Sequence, residues 1–317
     1  MVRIVVLFAV LISGCSSSDT KNTDDPGNTP DSPYIVILGI AQDAGYPQAG
    51  CYQTHCMRAW KNPSLRRYAT SIALVDPSSR KKWLFEATPD IKDQLFLLQG
   101  HAPDSVYELA GIFLTHAHIG HYTGLMHFGR EVMGASAVPV YAMPRMSEYL
   151  KNNGPWGQLV ELGNIELIGL GDSLELDLAG QLKVMPFTVP HRDEYSETVG
   201  YRITCRNKNL VFIPDIDKWY KWQHDINHVI RTSDHALLDA TFFDVNELPG
   251  RDMREIPHPF VRESMMVFDP LPFDERSKVH FIHFNHSNPL LIEGSNAQAT
   301  VREAGFNLAR QGELLHF

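Results

Sequence analysis

Four short apolar runs in this chain each end on a residue type that binds metals. "IFLT" runs into His116, "FTVP" into His191, "VFIP" into Asp215 and "VHFI" into His283. Short β-branched and aromatic runs of this kind read as buried strands. Reactive groups placed just past strand ends, on loops at one edge of a rigid sheet, are how enzymes position a site. This regularity constrains the fold more than any single motif does.

The remaining segments fit a strand-rich chain with interspersed helices. "PYIVILGIA", "YATSIALVD", "KKWLFEAT", "VPVYAM", "IELIGL", "DSLELD", "LKVMPFTV", "TVGYRITC", "NLVFIPD", "HALLDATF" and "KVHFIHF" read as strands. "PSSRK" is a hairpin turn between the second and third. "PDIKDQLFLLQ", "TGLMHFGREVMG" (closed by Gly134), "PRMSEYLKNN" and "NAQATVREAG" read as helices.

The chain's 317 residues are enough to bury a substantial core. Its net charge of −9 argues against a broad nucleic-acid-binding surface. The N-terminus reads as an export signal: Arg3, then the apolar run "IVVLFAVLIS", too short to span a membrane, then "GCSSS". "LISGC" resembles a bacterial lipoprotein box, which makes residues 1–14 a signal peptide and Cys15 the lipidated N-terminus. The alternative is an ordinary signal peptide cut nearby. Residues 15–33 are polar and Pro-containing and read as a flexible tether from a membrane facing the periplasm or cell exterior. Residues 34–317 form one domain. The three other cysteines, Cys51, Cys56 and Cys205, cannot pair fully, which argues against a disulfide scaffold. Cys205 lies inside a strand pattern as a small buried hydrophobe.

"HAHIGH" puts His116 and His118 two residues apart just past a strand, and His121 on the first turn of the helix after it. Neutral imidazole is a common zinc ligand, although a chain with 15 histidines produces some clusters without a metal. His191, Asp215 and His283 make the set large enough for two metals sharing a carboxylate. Here the pattern resembles the metallo-β-lactamase superfamily, whose usual motif is His-x-His-x-Asp-His followed by a lone His, a lone Asp and a final His. The resemblance implies an α/β fold, a four-layer αββα sandwich with the metals at one edge. It assigns His116, His118 and His191 to one metal, His121 and His283 to a second, and Asp215 to the bridge.

The segments "ILGIAQDAGYPQAGC", "SIALVDPSSRKKWLFEATPDIKDQL", "LTHAHIGHYTGL" and "HFNHSNPLL" look like the protein B family of pyrroloquinoline quinone biosynthesis. The chain is also similar to the cyclic-phosphate phosphodiesterases and tRNA-processing enzymes, in which a late-loop histidine is a general acid. His258 stands in that place, or is an ordinary loop histidine. Related families carry Cys-x-Cys-x-x-Cys near the start, holding a structural zinc with a later histidine. This chain keeps Cys51 and Cys56, has Gln53 between them, and offers His286 and possible help from His55. The alternative is two free or disulfide-bonded cysteines. Asp90 matches the superfamily's supporting first-strand aspartate. Asp193 and Glu194 are candidates to orient His191, and Asp239 for a similar supporting role.

The motif's aspartate is replaced by Gly120. The expectation is one tight zinc and a second weakened one, with space freed beside it unless Glu194 or Asp217 supplies the missing ligand; iron or manganese also suits these donors. The leading reading is a metal-dependent hydrolase in which a metal-activated water attacks an ester or phosphodiester of a small-molecule substrate, with His258 and Asp215 in catalytic roles. The rivals are an iron-dependent oxidative enzyme of the quinone-biosynthesis kind and a non-catalytic metal- or ligand-binding lipoprotein.

Overall fold

The computed structural model describes residues 31–248, 250 and 252–317. The expected signal peptide, Cys15 and most of the expected tether lie outside the described residues. Fourteen strands are present among those described. In chain order they are β1 (Tyr34–Gly39), β2 (Ser71–Asp76), β3 (Lys81–Phe85), β4 (Glu108–Phe113), β5 (Val138–Ala142), β6 (Ile165–Gly169), β7 (Leu176–Ala179), β8 (Leu182–Thr188), β9 (Val199–Cys205), β10 (Lys208–Ile213), β11 (His235–Asp239), β12 (Val279–Ile282), β13 (Asn307–Leu308) and β14 (Leu314–His316). They form two seven-stranded sheets, ordered β14-β1-β2-β3-β4-β5-β6 and β13-β12-β11-β10-β9-β8-β7. The sheets are mixed and flanked by helices, the α/β sandwich that the resemblance implies.

Burial explains why these segments are strands. Every residue of β1 and β2 is buried, as expected of strands covered on both faces. Between the sheets, Ile35, Ile37, Phe85 and Phe113 pack with Tyr201, Phe212, Leu237 and Phe281 in one core. On the outer face of the first sheet, Val36, Leu38 and Ile112 pack with Ile91 and Leu98 of the helix Ile91–Gln99 and with Met146 and Leu150 of the helix Pro144–Asn152. Cys205 is buried in the central core.

Direction matters for the site. β3, β4, β5 and β6 run parallel. In the other sheet β10, β11 and β12 run parallel, and β8 shares their direction because both it and β10 are antiparallel to β9. Glu86 follows β3, His116 follows β4, His191 follows β8, Asp215 follows β10 and His283 follows β12, so all sit past C-terminal strand ends.

One helix differs from expectation. The stretch after His121 is a short helix, Ile119–Tyr122, then a 3-10 turn, Thr123–Phe128, rather than one helix closed by Gly134. Gly124 is the reason: its N–H donates to the Ala87 carbonyl, and a Cβ there would lie 2.1 Å from the Thr88 carbonyl oxygen. The backbone is drawn onto the β3 loop, which an uninterrupted helix could not reach.

Candidate metal centre

Three overlapping donor sets converge at the sheet edge, one of them made of Asp239, His258 and His283. Ligand atoms of His116, His118, His191 and Asp215 all lie within 4.8 Å of one another, and so do those of His121, Asp215 and His283. Asp215 belongs to both of these, the place that the family resemblance implies for a bridging carboxylate. His121 Nε2 is 2.9 Å and His116 Nε2 3.3 Å from Asp215 Oδ2, while His283 Nδ1 is 3.4 Å from Oδ1.

The residues fit a divalent cation. Both nitrogens of His191, His121 Nε2, His283 Nε2 and Asp215 Oδ1 are buried without a hydrogen-bond partner. His121 Nε2 is near Asp215 but not aligned for a hydrogen bond, so proximity there leaves both atoms free to coordinate. Orphaned buried polar atoms are costly, and cations held by these donor sets would satisfy one nitrogen of His191 together with His121 Nε2, His283 Nε2 and Asp215 Oδ1. Charge argues the same way: Glu86 and Asp239 are wholly buried and Asp215 is 3% exposed, and buried carboxylates need countercharge.

Outer partners orient the imidazoles. Thr115 Oγ1 lies 2.9 Å from His116 Nδ1, and His118 Nε2 is 3.3 Å from Glu194 Oε2. His121 Nδ1 is 3.1 Å from Glu86 Oε1, which Thr115 Oγ1 also reaches at 2.5 Å. Glu86 sits at φ +82° and His283 at φ +69°, strained conformations of the kind that cluster at functional sites. Burial pulls the His191 and His283 imidazoles down to about 4, so both are neutral and ready to ligate at neutral pH. Burial also lowers His121, but Glu86 and Asp215 outweigh it and hold that ring well above the ordinary value. Asp215 would be raised by burial, yet the facing His283 and His121 keep it well below the usual carboxylate range.

His258 stands beside the cluster, 5% exposed, with Nδ1 2.8 Å from Asp239 Oδ2 and its ring 5.2 Å from that of His191. Burial lowers its pKa, but Asp239 and then Asp215 outweigh burial and raise it. Asp239 also accepts from the Ile216 and Thr241 N–H groups, so the dyad is fixed.

Several sequence expectations need correction. Asp193 does not orient His191; it accepts from Thr198 Oγ1 at 2.8 Å. Glu194 serves His118 instead of His191. Asp217 is paired with Lys221 at 2.6 Å, which removes it as a ligand candidate. Asp90 accepts from the Ala69 N–H at 2.8 Å and pins a loop. The carboxylate touching the histidines from this sheet is Glu86, signalled only by its place directly after "KKWLF". Gly120 frees no space: a Cβ there would lie 2.4 Å from Asp43 Cα, because the loop after β1 packs against it.

A second cluster joins Cys51, His55, Cys56 and His286, whose ligand atoms also lie within 4.8 Å of one another. Cys51 Sγ is 3.5 Å from His55 Nε2, and the His55 and His286 rings stack at 5.4 Å. His286 Nδ1 is 3.2 Å from Gln48 Oε1, which leaves Nε2 for the cluster. Both thiols are free. Burial and the neighbouring Cys51 push the Cys56 thiol up to about 12.

The fold and donor sets define a metal-binding sandwich, and the chain belongs to the metallo-β-lactamase superfamily: the family described as Beta-lactamase superfamily domain matches residues 81–284. Within the superfamily it is PqqB-like. It is 26% identical over 305 residues to Coenzyme PQQ synthesis protein B of Methylorubrum extorquens (strain PA1), covering 88% of this chain and 98% of that protein. The structure of Zn(2+)-bound PqqB from Methylobacterium extorquens superposes with a TM-score of 0.75 at 23% identity, covering 90% of this chain and 100% of that one. A diphosphatase from the PhnP family superposes with a TM-score of 0.64 at 22% identity, covering 90% and 97%.

Proposed function

We propose that the chain is a metal-dependent hydrolase acting on an ester or phosphodiester of a small molecule. The observation that carries this is the pair of donor sets sharing Asp215 with the His258–Asp239 dyad at their side. His116, His118, His191 and Asp215 would hold one divalent cation, and His121, His283 and Asp215 a second. A cation there supplies Lewis acidity and lowers the pKa of a coordinated water. Asp239 accepts from His258 Nδ1 and holds the ring so that Nε2 can protonate a leaving oxygen. His118 and His191 are the partly exposed members of the set, so substrate approaches over them. The zinc-bound relative and the hydrolase fold neighbours support this reading.

The test is hydrolysis of bis(p-nitrophenyl) phosphate by protein reloaded with zinc or manganese. Activity that disappears with chelator, and that falls about 10²–10⁴-fold in His258→Gln, is expected. Full activity in His258→Gln would remove it as the acid. No turnover at any metal load would favour the second reading, an iron-dependent oxidation, for which imidazole and carboxylate donors also serve.

Cys51, His55, Cys56 and His286 would form a closed structural zinc site, with His55 replacing the cysteine that Gln53 removes. Cys15 would carry a lipid anchoring the protein outside the cytoplasm, and mass spectrometry of membrane-extracted protein should show an acylated Cys15. A retained, unmodified leader would exclude it.

A further inference from the structure

Gly120 occupies the motif position where a carboxylate is expected, and the reason lies in another loop. A Cβ on Gly120 would meet Asp43 at Cα (2.4 Å), Oδ1 (2.8 Å) and the carbonyl oxygen (3.0 Å). The Asp43 carboxylate therefore reaches the volume into which a side chain at 120 would grow. Only glycine lets the two segments approach so closely.

The Asp43 loop is built into the site. Gln42 N–H donates to the Phe284 carbonyl at 2.9 Å, and Phe284 N–H donates to the Ile40 carbonyl at 2.8 Å. These bonds lace the loop to the residue next to His283. On its far side the loop turns through a Gly45 N–H to Gln42 carbonyl bond at 3.0 Å, and Tyr46 N–H donates to Arg67. Asp43 itself is at φ +43°, a left-handed conformation that aspartate and asparagine tolerate better than other non-glycine residues. A carboxylate held in a strained, doubly anchored loop is prearranged for a task. The donor set of His121, Asp215 and His283 holds buried atoms with nothing to bond: His121 Nε2, His283 Nε2 and Asp215 Oδ1, on residues 1%, 1% and 3% exposed.

We propose that Asp43 takes over the role of the aspartate missing at 120, supplying the carboxylate of the second metal centre with His121, His283 and Asp215. The chain thus binds two divalent cations at this edge, the second completed by a residue from the loop after β1. This rests on the metal reading of the site and deepens it.

The experiment is Mn2+ binding to the chelator-treated full chain, because manganese prefers imidazole and carboxylate over the thiolates of the cysteine cluster. Bound manganese is counted by equilibrium dialysis and the paired ions by electron paramagnetic resonance. Wild type should take two ions and show a spin-coupled signal. Asp43→Asn keeps the shape and the left-handed tolerance. It should keep the first ion, lose the coupled signal and bind the second about 10–100-fold more weakly. The retained first site reports that the variant is folded, and Asp43→Ala should behave in the same way. Two ions with unchanged affinities in both variants would overturn the role of Asp43 while leaving the metal reading intact. So would a wild type that takes one ion only. No manganese bound by wild type would overturn the metal reading itself.

Discussion

Replacing Gly120 with alanine should destabilise the protein although the position lies in a helix, where alanine is normally the better residue. The added methyl would sit 2.4 Å from Asp43 Cα and 3.0 Å from its carbonyl oxygen. Neither atom is the movable end of a side chain. Relief requires the loop after β1 to shift, and that loop is bonded on both sides to Phe284 and Arg67. Overpacking of this kind costs about 1–3 kcal/mol, offset by up to about 1 kcal/mol from removing a helical glycine. A net loss of about 1–2 kcal/mol is expected from these two terms. For a folded part of roughly 280 residues, an unfolding entropy of about 2.1 cal/mol/K per residue turns this into a fall of about 2–3 °C in Tm. The assay is calorimetry in chelator, so that metal binding does not contribute. Combining it with Asp43→Ala should not restore stability, because the Asp43 Cα remains. A Gly120→Ala protein as stable as wild type would refute the packing account. It would also restore the expectation that position 120 borders open space.

Other consequences can be checked separately. Glu86→Gln keeps the bond to Thr115 but removes the charge facing His121, and should weaken metal binding about 10–100-fold, measured by calorimetric titration. Cys56→Ser should lower zinc content by one ion per chain, by elemental analysis. Since the Cys56 thiol is pushed up to about 12, zinc uptake by metal-free wild type should also release protons that a pH indicator records. His280, a buried residue of β12 beside His235, is lowered from 6.5 to about 4 by burial. Below pH 6.5 the unfolded chain binds a proton there that the folded chain refuses until about pH 4, so stability is lost as pH falls through that window. His280→Phe should move acid unfolding to lower pH, followed by circular dichroism, and an unmoved midpoint would exclude this contribution.

Much of the site was legible because strand and ligand signals coincide in the sequence. "IFLT", "FTVP", "VFIP" and "VHFI" each end where their ligands begin; β8, β10 and β12 run in a common direction that gathers the last three ends, and β4 brings His116 from the other sheet. The cysteine cluster was legible through the family resemblance, which joins Cys51 and Cys56 to a histidine three residues past His283. The illegible parts depend on contacts between segments distant in the chain. Glu86 looks like any charged residue at a strand end until the fold sets it against His121, 35 residues later. Asp43 lies in a segment singled out in the sequence only by its family resemblance, and its relation to Gly120 arises from packing. The helix expected after His121 failed for the same reason, since apolar spacing does not reveal that Gly124 is pulled onto Ala87. The short strands β13 and β14 carry too little pattern to stand out and are defined by pairing with β12 and β1.

The central claim is that the histidines and Asp215 at the sheet edge hold divalent metal. Its most direct test is anomalous X-ray diffraction from crystals of the full chain soaked in Zn2+, recorded on both sides of the zinc absorption edge. The account predicts one peak among His116, His118, His191 and Asp215 and a second among His121, His283, Asp215 and Asp43. Strong peaks at the cysteine cluster with none at this edge would contradict it.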